Sequence, residues 1–309
     1  MIQLPSTQQL RYFLSVAESL SFRKAAENCS VSQSTISGAI RDLEECLGIQ
    51  LLERTKRKVR LTEEGEALLV IVRDVFERLA TMRYIADAMK GPLVGGMRMG
   101  VIPTIAPFLL PEIIGPIREE YPHLDLRVVE DLTPALLEKL HRGEIECAVV
   151  ALPYNIEGLL SRVLCRDALC VAMPRSTRKA GKARRSISST ALQKEKLLLL
   201  QDGHCLKDQA LTACRLTDGP GLSAFRASSL MTLARMVEQG EGVTFIPKMA
   251  VRVFERCLRN VDFVPLMERG AQREICVCWR EDSYRRKEIE RLSDFIADCL
   301  PENTDRWGS

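Results

Sequence analysis

The chain has 309 residues, of which 46% are hydrophobic and 28% are charged, as in ordinary globular proteins of two or more domains. The formal net charge of +3 is too small to indicate nucleic-acid binding unless cations cluster locally. No apolar run approaches the roughly 18 residues of a membrane span. The first residues also lack the basic and apolar segments of a signal peptide. We therefore expect a cytoplasmic protein without a membrane partner.

The cysteine content excludes two common kinds of site. Eleven cysteines, an odd number, accompany only three histidines. In a reducing compartment this composition argues against a structural disulfide framework. No two cysteines have the CxxC spacing of a zinc site. We expect no metal and no cofactor, so any cysteine chemistry must come from individual thiols.

The first sixty residues predict three short helices. Ser6 is the expected N-cap of the first, Ser21 caps a short second helix that ends at Asn28, and Ser32 caps a third helix that runs to Leu47. On the third helix, apolar side chains share one face and small polar side chains share the other. A helix pair with a short turn and such a polar face can enter a major groove of DNA. The alternative is a polar face that is merely solvated.

The segment that follows is strongly basic. Residues 54–60 contain five cations in seven positions, between apolar flanks. A charge run usually indicates only a solvated surface. Directly after a helix-turn-helix pattern, however, it predicts a two-stranded wing whose cations contact phosphates.

With these motifs the chain resembles the LysR-type transcriptional regulators. The resemblance is carried by residues 22–26, 31–37, 40–44, 47–48, 51–54 and 61–65. It implies that the groove contacts are Ser32, Gln33, Ser34, Thr35, Ser37 and Arg41 and that the wing contacts are Arg54, Lys56 and Arg57. Ser34 stands where many members have proline. The resemblance also implies double-stranded promoter DNA and RNA polymerase as partners.

Residues 62–90 predict one long helix, because they contain no proline and a single glycine, Gly65, in the first turn. Apolar residues recur along it with a period of 3.5 at Leu68, Val72, Val75, Leu79, Met82, Ala86 and Met89. One interpretation is an amphipathic helix packed on its own domain. We favour a dimerising helix, because a winged helix offers too little surface to cover so long a stripe. A dimer also suits paired DNA half-sites.

The predicted domains are a winged helix-turn-helix over 1–65, the linker helix over 66–90, a hinge over 91–96 and a regulatory domain over 97–309. In the regulatory domain, apolar runs alternate with helical patterns, which predicts a mixed α/β fold with mostly parallel sheets in two lobes. The expected strands lie near 98–102, 124–129, 147–152, 168–173, 197–200, 243–246 and 273–279. The expected helices lie near 107–120, 133–141, 205–215, 229–239 and 284–300. The resemblance implies an effector domain similar in fold to periplasmic binding proteins.

One segment of the regulatory domain carries a candidate reactive thiol. Cys205 lies beside His204 and Lys207, and Cys214 follows nine residues later. If these residues form one helix, the two thiols are about 13 Å apart along its axis and on opposite faces. A disulfide requires Cα atoms within about 7 Å. Oxidation would therefore have to unwind the segment, which would make it a switch. We expect Lys207 to face solvent.

The same segment resembles that of the hydrogen-peroxide-sensing members of the LysR family, as do residues 100–104, 109–111 and 225–230. The resemblance implies that hydrogen peroxide oxidises Cys205 to a sulfenic acid and that Cys214 then forms a disulfide with it. It implies a peroxide pocket lined by Thr104, His204, Asp208 and Arg273. It further implies an assembly of four chains that controls oxidative-stress genes, usually as an activator.

Two alternatives remain open. The nearer one is a regulator of the same family that responds to a small carboxylate or aromatic metabolite in the interlobe cleft, where Thr104 would contact the ligand. The more distant one is an enzyme, a thiol peroxidase, against which the helix-turn-helix argues. We interpret the other nine cysteines as small core hydrophobes. Cys276 and Cys278 share one face of a strand, with no further metal ligand evident.

Overall fold

The computed structural model describes residues 4–54, 59–88, 92–175, 186–214, 222–268 and 270–300. The chain divides into two compact units, residues 1–85 and 86–309. Each unit has a hydrophobic core of its own. Among the helices of these ranges, none combines the length and the apolar content needed to cross a bilayer.

The first unit consists of three short helices, a hairpin and a long helix. Its elements are α1 (Thr7–Ser19), α2 (Phe22–Cys29), α3 (Gln33–Leu47), β1 (Leu52–Arg54), β2 (Val59–Leu61) and α4 (Glu63–Ala88). The predicted caps are confirmed, because the side chains of Ser6, Ser21 and Ser32 each accept a backbone N–H three residues later. Helix α2 runs one residue further than predicted, to Cys29, and Ser30 ends it with φ of 56°.

The hairpin is antiparallel, with Leu52 opposite Leu61. Glu44 of α3 fixes its start, because Oε1 of Glu44 accepts the N–H groups of Leu51 at 2.9 Å and of Leu52 at 3.1 Å. Gly65 is required where α4 leaves the hairpin, because a Cβ there would lie 2.2 Å from the carbonyl oxygen of Leu51. The backbone contact thus explains the lone glycine of the helix.

The apolar stripe of α4 has two different environments. Val72 is buried in the core of the first unit, and Leu68 packs against that core. Leu79 is 37% exposed and Met82 is 67% exposed. The first half of the stripe therefore covers its own domain, as one interpretation expected, and the second half leaves apolar side chains exposed. The Ala86 side chain and Met89 lie outside the described residues.

The second unit is a mixed α/β domain. Its strands are β3 (Gly95–Val101), β4 (Leu124–Glu130), β5 (Cys147–Leu152), β6 (Leu159–Pro174), β7 (Leu197–Leu200), β8 (Leu222–Ala227), β9 (Thr244–Pro247), β10 (Val261–Pro265) and β11 (Gln272–Arg280). Its helices are α5 (Ala106–Glu120), α6 (Thr133–His141), α7 (Ser189–Leu192), α8 (Cys205–Ala213), α9 (Leu230–Glu238), α10 (Lys248–Cys257) and α11 (Arg286–Cys299). No element was expected between residues 247 and 266, where α10 and β10 lie.

The expectation of mostly parallel sheets is wrong. Strands β3 and β4, β3 and β5, and β7 and β8 pair in parallel. Strand β6 is antiparallel to β9, β10 and β11, and β11 is also antiparallel to β5. The reason is that β11 lies between β5 and β6 and runs opposite to both, and that β6 also runs opposite to β9 and β10. The first half of β6 pairs with β11 and its second half with β9 and β10, so this single strand runs through both halves of the sheet.

The start of the second unit is held by its last helix. The N–H of Leu93 donates to Oε1 of Glu288 at 2.9 Å. Arg285 donates to the carbonyl oxygens of Val94 and Gly96 and also pairs with Glu288. Gly96 thus lies in strand β3 under this network, while residue 91 at the start of the predicted hinge is outside the described residues.

Candidate redox site and nucleic-acid interface

Cys205 and Cys214 lie at the two ends of one regular helix. Cys205 is the first residue of α8 and Cys214 is its C-cap, with its N–H donating to the carbonyl of Ala210. Both side chains are buried and both thiols are free. Nine residues of helix separate the two positions by about 13 Å along the axis, whereas a disulfide needs Cα atoms within about 7 Å. The helix therefore keeps the two sulfurs apart.

The surroundings of Cys205 act on its pKa in opposite directions. Burial is the largest influence and raises the pKa of the thiol, and the nearby Asp208 carboxylate raises it further. The positive charge of Arg273, the hydroxyl of Thr133 and the N–H of Leu206 lower it. Burial prevails, so the pKa lies above its ordinary value. Because thiolate is then scarce at neutral pH, fast oxidation would require groups that hold and polarise the oxidant.

Arg273 is the centre of a buried polar network. Its side chain is 0% exposed, and its Nε donates to Asp167 at 3.0 Å. Its Nη1 donates to Oγ1 of Thr104 at 2.9 Å, and Nη2 donates to the carbonyl of Thr104 at 3.0 Å. Asp167 also accepts the N–H of Met249. The structure therefore joins two of the predicted pocket residues, Thr104 and Arg273, by direct hydrogen bonds.

His204 caps α8 by position but not through its side chain. It is buried, its side chain makes no capping hydrogen bond, and its Nε2 has no partner among the described residues. Burial lowers its pKa, so the ring is neutral at pH 7. A neutral, unpartnered ring nitrogen next to Cys205 is available to a small polar molecule.

Asp208 and Lys207 differ from the expected arrangement. The Asp208 side chain is exposed, and its negative charge raises the pKa of Cys205. Lys207 was expected to face solvent, and this is wrong. Its side chain is only 6% exposed, and its Nζ lies 2.7 Å from Oδ1 of Asp202. The aliphatic part of the Lys207 side chain packs against the protein, and its ammonium group pairs with the exposed Asp202.

Three residues of this site, Thr133, Gln209 and Asp167, were not identified from the sequence. Thr133, the first residue of α6, is buried beside Cys205, and its hydroxyl has no oxygen or nitrogen partner within the described ranges. Gln209 donates from Nε2 to the carbonyl of Ala151 at 3.0 Å, and its Oε1 is buried without a partner in those ranges. Gln209 follows Cys205 by four residues and so shares its helix face, which was a usable signal. No local pattern connects Thr133 to Cys205.

A cavity of about 210 Å³ adjoins the network at Thr104. Phe108, Phe254 and Leu230 give it apolar walls, and Glu130 and Ser229 add polar groups. Cys205 does not line this cavity. A volume below the usual 300–1,000 Å³ of ligand pockets suits only a small molecule.

Most of the predicted DNA-contacting residues lie at the start of α3, and Arg41 lies in the middle of this helix. Ser32, Gln33, Ser34, Thr35 and Arg41 are exposed. The hydroxyl of Ser32 lies 2.7 Å from that of Ser34 and 2.8 Å from that of Thr35. This hydroxyl cluster marks the helix N-terminus, where backbone N–H groups favour phosphate.

The remaining predicted contacts are less exposed or not described. Ser37 is half-buried. Lys56 and Arg57 lie outside the described residues, as does the Arg54 side chain. The wing contacts therefore stay a prediction.

Comparison with known proteins identifies both units. Residues 7–66 match the model of the bacterial regulatory helix-turn-helix protein, lysR family, and residues 90–300 match the LysR substrate binding domain. The chain is 36% identical over 299 residues to the DNA-binding transcriptional dual regulator OxyR of Escherichia coli, covering 97% of each. It is also 36% identical over 293 residues to the hydrogen peroxide-inducible genes activator of Dickeya chrysanthemi, covering 95% of each.

Solved structures agree with these matches. A full-length OxyR variant from Pseudomonas aeruginosa has a TM-score of 0.76 and 33% identity, covering 95% of each chain. A hydrogen-peroxide-bound OxyR mutant from Corynebacterium glutamicum has a TM-score of 0.65 and 33% identity, covering 97% of this chain and 94% of that one. The chain therefore belongs to the LysR family of bacterial transcriptional regulators.

Proposed function

We propose that this protein is a promoter-binding regulator that senses hydrogen peroxide through Cys205. The observation that carries the proposal is the position of Cys205 and Cys214 at opposite ends of an intact helix. The relatives named above as OxyR and as hydrogen peroxide-inducible genes activators support it. A bond between the two sulfurs would have to unwind α8, so an oxidant would change the shape of the domain. We also propose that it acts in the cytoplasm, where promoter DNA is accessible to it.

The reaction that we propose has two steps. The thiolate of Cys205 attacks one oxygen of hydrogen peroxide, the O–O bond breaks, and the leaving hydroxide takes up a proton to give water. The resulting sulfenic acid is then attacked by the thiolate of Cys214. The S–O bond breaks, a second water leaves, and the disulfide forms. The two thiols have supplied the two electrons that reduce the peroxide.

The described side chains suit the first step. Thr104 Oγ1 accepts a hydrogen bond from Arg273, so its own proton is free to donate to a peroxide oxygen. The guanidinium of Arg273 favours the anionic form of the Cys205 sulfur. Thr133 and His204 offer polar atoms without other partners in the described ranges. Together these groups can orient peroxide and stabilise the departing hydroxide. We also assign Asp208 to the peroxide pocket, because its charge acts on the pKa of Cys205.

The response is tested by promoter footprinting before and after a short peroxide pulse. We expect Cys205→Ser to bind DNA normally but to lose the peroxide-dependent change of footprint. Cys257→Ser is the matched control, because Cys257 is an exposed free thiol outside this site. A footprint change that persists in Cys205→Ser would refute the proposal.

DNA binding is proposed to use the exposed N-terminal part of α3, with the basic wing on neighbouring phosphates. Arg41→Ala should weaken operator binding by about 1–3 kcal/mol if Arg41 reads a base, or lower the salt dependence by about one ion if it contacts a phosphate. Its control is Arg78→Ala, because Arg78 is exposed on α4 and pairs with Asp74. The rate at which peroxide oxidises Cys205 should be the same in both variants. Equal operator binding by both variants would contradict this assignment.

The oligomer is proposed to form through α4. Leu79 and Met82 continue the stripe beyond the part that the first unit buries, and a second copy of the helix would cover them. Two such dimers would give the four-chain assembly. Contact with RNA polymerase is proposed because the relatives are gene activators.

The cavity at Thr104 favours one second candidate, a regulator that binds a small metabolite there. Calorimetry on the double variant Cys205→Ser/Cys214→Ser separates the two functions. Binding of a small carboxylate or aromatic compound that survives in this variant, together with an unchanged peroxide response in Cys205→Ser, would favour the metabolite regulator.

A further inference from the structure

Cys276 is a buried thiol that the proposed sensing reaction does not use. It lies in β11, three residues after Arg273 and two before Cys278. Its side chain is 0% exposed and its sulfur is free. A buried cysteine is usually an inert core residue. Whether Cys276 can also react as a thiol depends on the residues around it.

The strand register assigns Cys276 to one face of the sheet. Cys276 lies opposite Val150 of β5, and Cys278 lies opposite Ala148. Directly opposed residues in a sheet point to the same face. Ala148 is also paired with Gly100 of β3. Cys276 therefore shares a face with Gly100.

This face is the one that α6 covers. A Cβ on Gly100 would lie 2.6 Å from Cδ2 of Leu136, in the middle of α6. Helix α6 also contacts β5 and β11. Its first residue, Thr133, is the one whose hydroxyl lies beside the sulfur of Cys205. Helix α6 thus lies next to both the candidate redox site, through Thr133, and the strand face that carries Cys276.

The first turns of α8 contact the end of β5, next to the strand that carries Cys276. Gln209 donates to the carbonyl of Ala151 at 3.0 Å, and Ala151 follows Val150, the cross-strand partner of Cys276. Cys205 precedes Gln209 by one helical turn on the same face. Burial and then the charge of Glu274 are the main causes that raise the pKa of Cys276, and a charge on Cys205 raises it further, so the two thiols interact electrostatically.

We propose that Cys276 is a second, short-range partner for oxidised Cys205, in competition with Cys214. This inference rests on the proposed oxidation of Cys205 by hydrogen peroxide. The sulfenic acid at Cys205 would be attacked by the thiolate of Cys276. The S–O bond breaks, the hydroxide leaves as water after taking up a proton, and a Cys205–Cys276 disulfide forms.

Thiolate population does not favour Cys214 over Cys276. Burial raises the pKa of each to about 12, so neither thiol has an advantage from ionisation. The geometry differs, because Cys214 can reach Cys205 only after α8 unwinds, whereas Cys276 lies opposite Val150 of β5, next to the Ala151 carbonyl that Gln209 of α8 binds. Bonding to Cys276 would therefore hold Cys205 oxidised while α8 stays largely helical. It would also protect the sulfenic acid from irreversible oxidation.

The test removes the competing thiol. Full-length Cys214→Ser is treated with stoichiometric hydrogen peroxide, alkylated, digested without reductant and mapped by mass spectrometry. We expect a disulfide between the peptides of Cys205 and Cys276. Cys278 lies on the same tryptic peptide, so Cys214→Ser/Cys278→Ser is the matched control and should keep the crosslink. Cys214→Ser/Cys276→Ser should lose it and leave a sulfenic acid that dimedone traps.

The outcomes separate this inference from the proposed function. If Cys205 is oxidised in Cys214→Ser but only sulfenic or sulfinic acid is found, the role of Cys276 is refuted and peroxide sensing stands. If the crosslink persists in Cys214→Ser/Cys276→Ser, the role of Cys276 is refuted as well. If Cys205 does not react with peroxide in the wild type, the proposed function itself fails. Circular dichroism checks that each variant is folded, and Cys276→Ala replaces the serine variant if it is not.

Discussion

Cys205 illustrates how one side chain is held between opposing influences. Burial raises its pKa, and Arg273 and Thr133 lower it. Exclusion of water disfavours the charged thiolate, but it also strengthens the interaction between the sulfur and nearby charges and dipoles. A sensor thiol in such a site would depend on orientation of its substrate more than on its own ionisation.

Thr133 gives a direct test of this balance. In Thr133→Val the hydroxyl that lowers the pKa of Cys205 is lost while the shape is nearly kept. A lost hydrogen bond of about 1 kcal/mol corresponds to roughly fivefold slower oxidation at neutral pH. Stopped-flow kinetics of peroxide consumption at several pH values measures the oxidation rate. The rate should rise towards alkaline pH in the wild type and in Thr133→Val. Thr212→Val, an exposed threonine of α8, is the control, and equal rates in all three proteins would contradict the role of Thr133.

Some residues of the site were accessible from sequence and others were not. The resemblance of the segment around Cys205 indicated the two thiols and His204, and the resemblance of residues 100–104 indicated Thr104. Thr133 lies on another helix, 72 residues earlier in the chain, and only the folding of the domain brings its hydroxyl to Cys205. The burial of Lys207 was missed because its partner Asp202 precedes the helix, where no helical spacing relates the two.

The anchoring of the chain around β3 to helix α11 has a measurable effect on stability. Arg285 and Glu288 form a buried pair with a separation of 2.5 Å, at 3% and 9% exposure, and both also bind backbone near Leu93. In Arg285→Met the Glu288 carboxylate would remain buried without its partner. Breaking such a pair from one side costs about 3–5 kcal/mol.

Urea unfolding measures this cost. Arg286→Met is the control, because Arg286 is the next residue, is 49% exposed and pairs with Glu290 on the surface. Such pairs contribute about 0–1 kcal/mol. Equal free energies of unfolding for the two variants would show that the network at Leu93 does not stabilise the domain.

Element boundaries were predicted best where a local signal exists. The serine caps placed the first three helices, and the apolar runs placed β5 and β7 at their observed residues. Strand direction was not predictable, because an apolar run carries no information on which neighbour it pairs with. Strand β6 is the clearest case, since its 16 residues exceed the predicted 168–173 and extend along both halves of the sheet.

Buried and half-buried thiols predict how the stability of the protein responds to alkali. Burial raises the pKa to about 12 for Cys165, Cys214 and Cys276 and to about 11 for Cys170. In the unfolded chain these thiols ionise near pH 8.5. Above that pH the unfolded state binds fewer protons than the folded state, so the free energy of unfolding falls as pH rises.

Each such thiol contributes a slope of about 1.4 kcal/mol per pH unit between its unfolded and folded pKa. Urea unfolding of the reduced protein at pH 7, 9 and 10 should therefore show stability that is level at first and then declines steeply. Removing two of these thiols, in Cys165→Ala/Cys276→Ala, should make the decline shallower. A free energy of unfolding that stays constant from pH 8 to 10 would contradict this account.

We propose that a Cys205–Cys214 disulfide and a helical α8 exclude each other. Amide hydrogen exchange across residues 205–213, read by mass spectrometry in the reduced and the peroxide-oxidised protein, tests it most directly. We predict slow exchange in the reduced form, fast exchange once the disulfide has formed, and slow exchange in peroxide-treated Cys205→Ser. A protein in which peptide mapping finds the Cys205–Cys214 disulfide while exchange in this segment stays as slow as in the reduced form would contradict it.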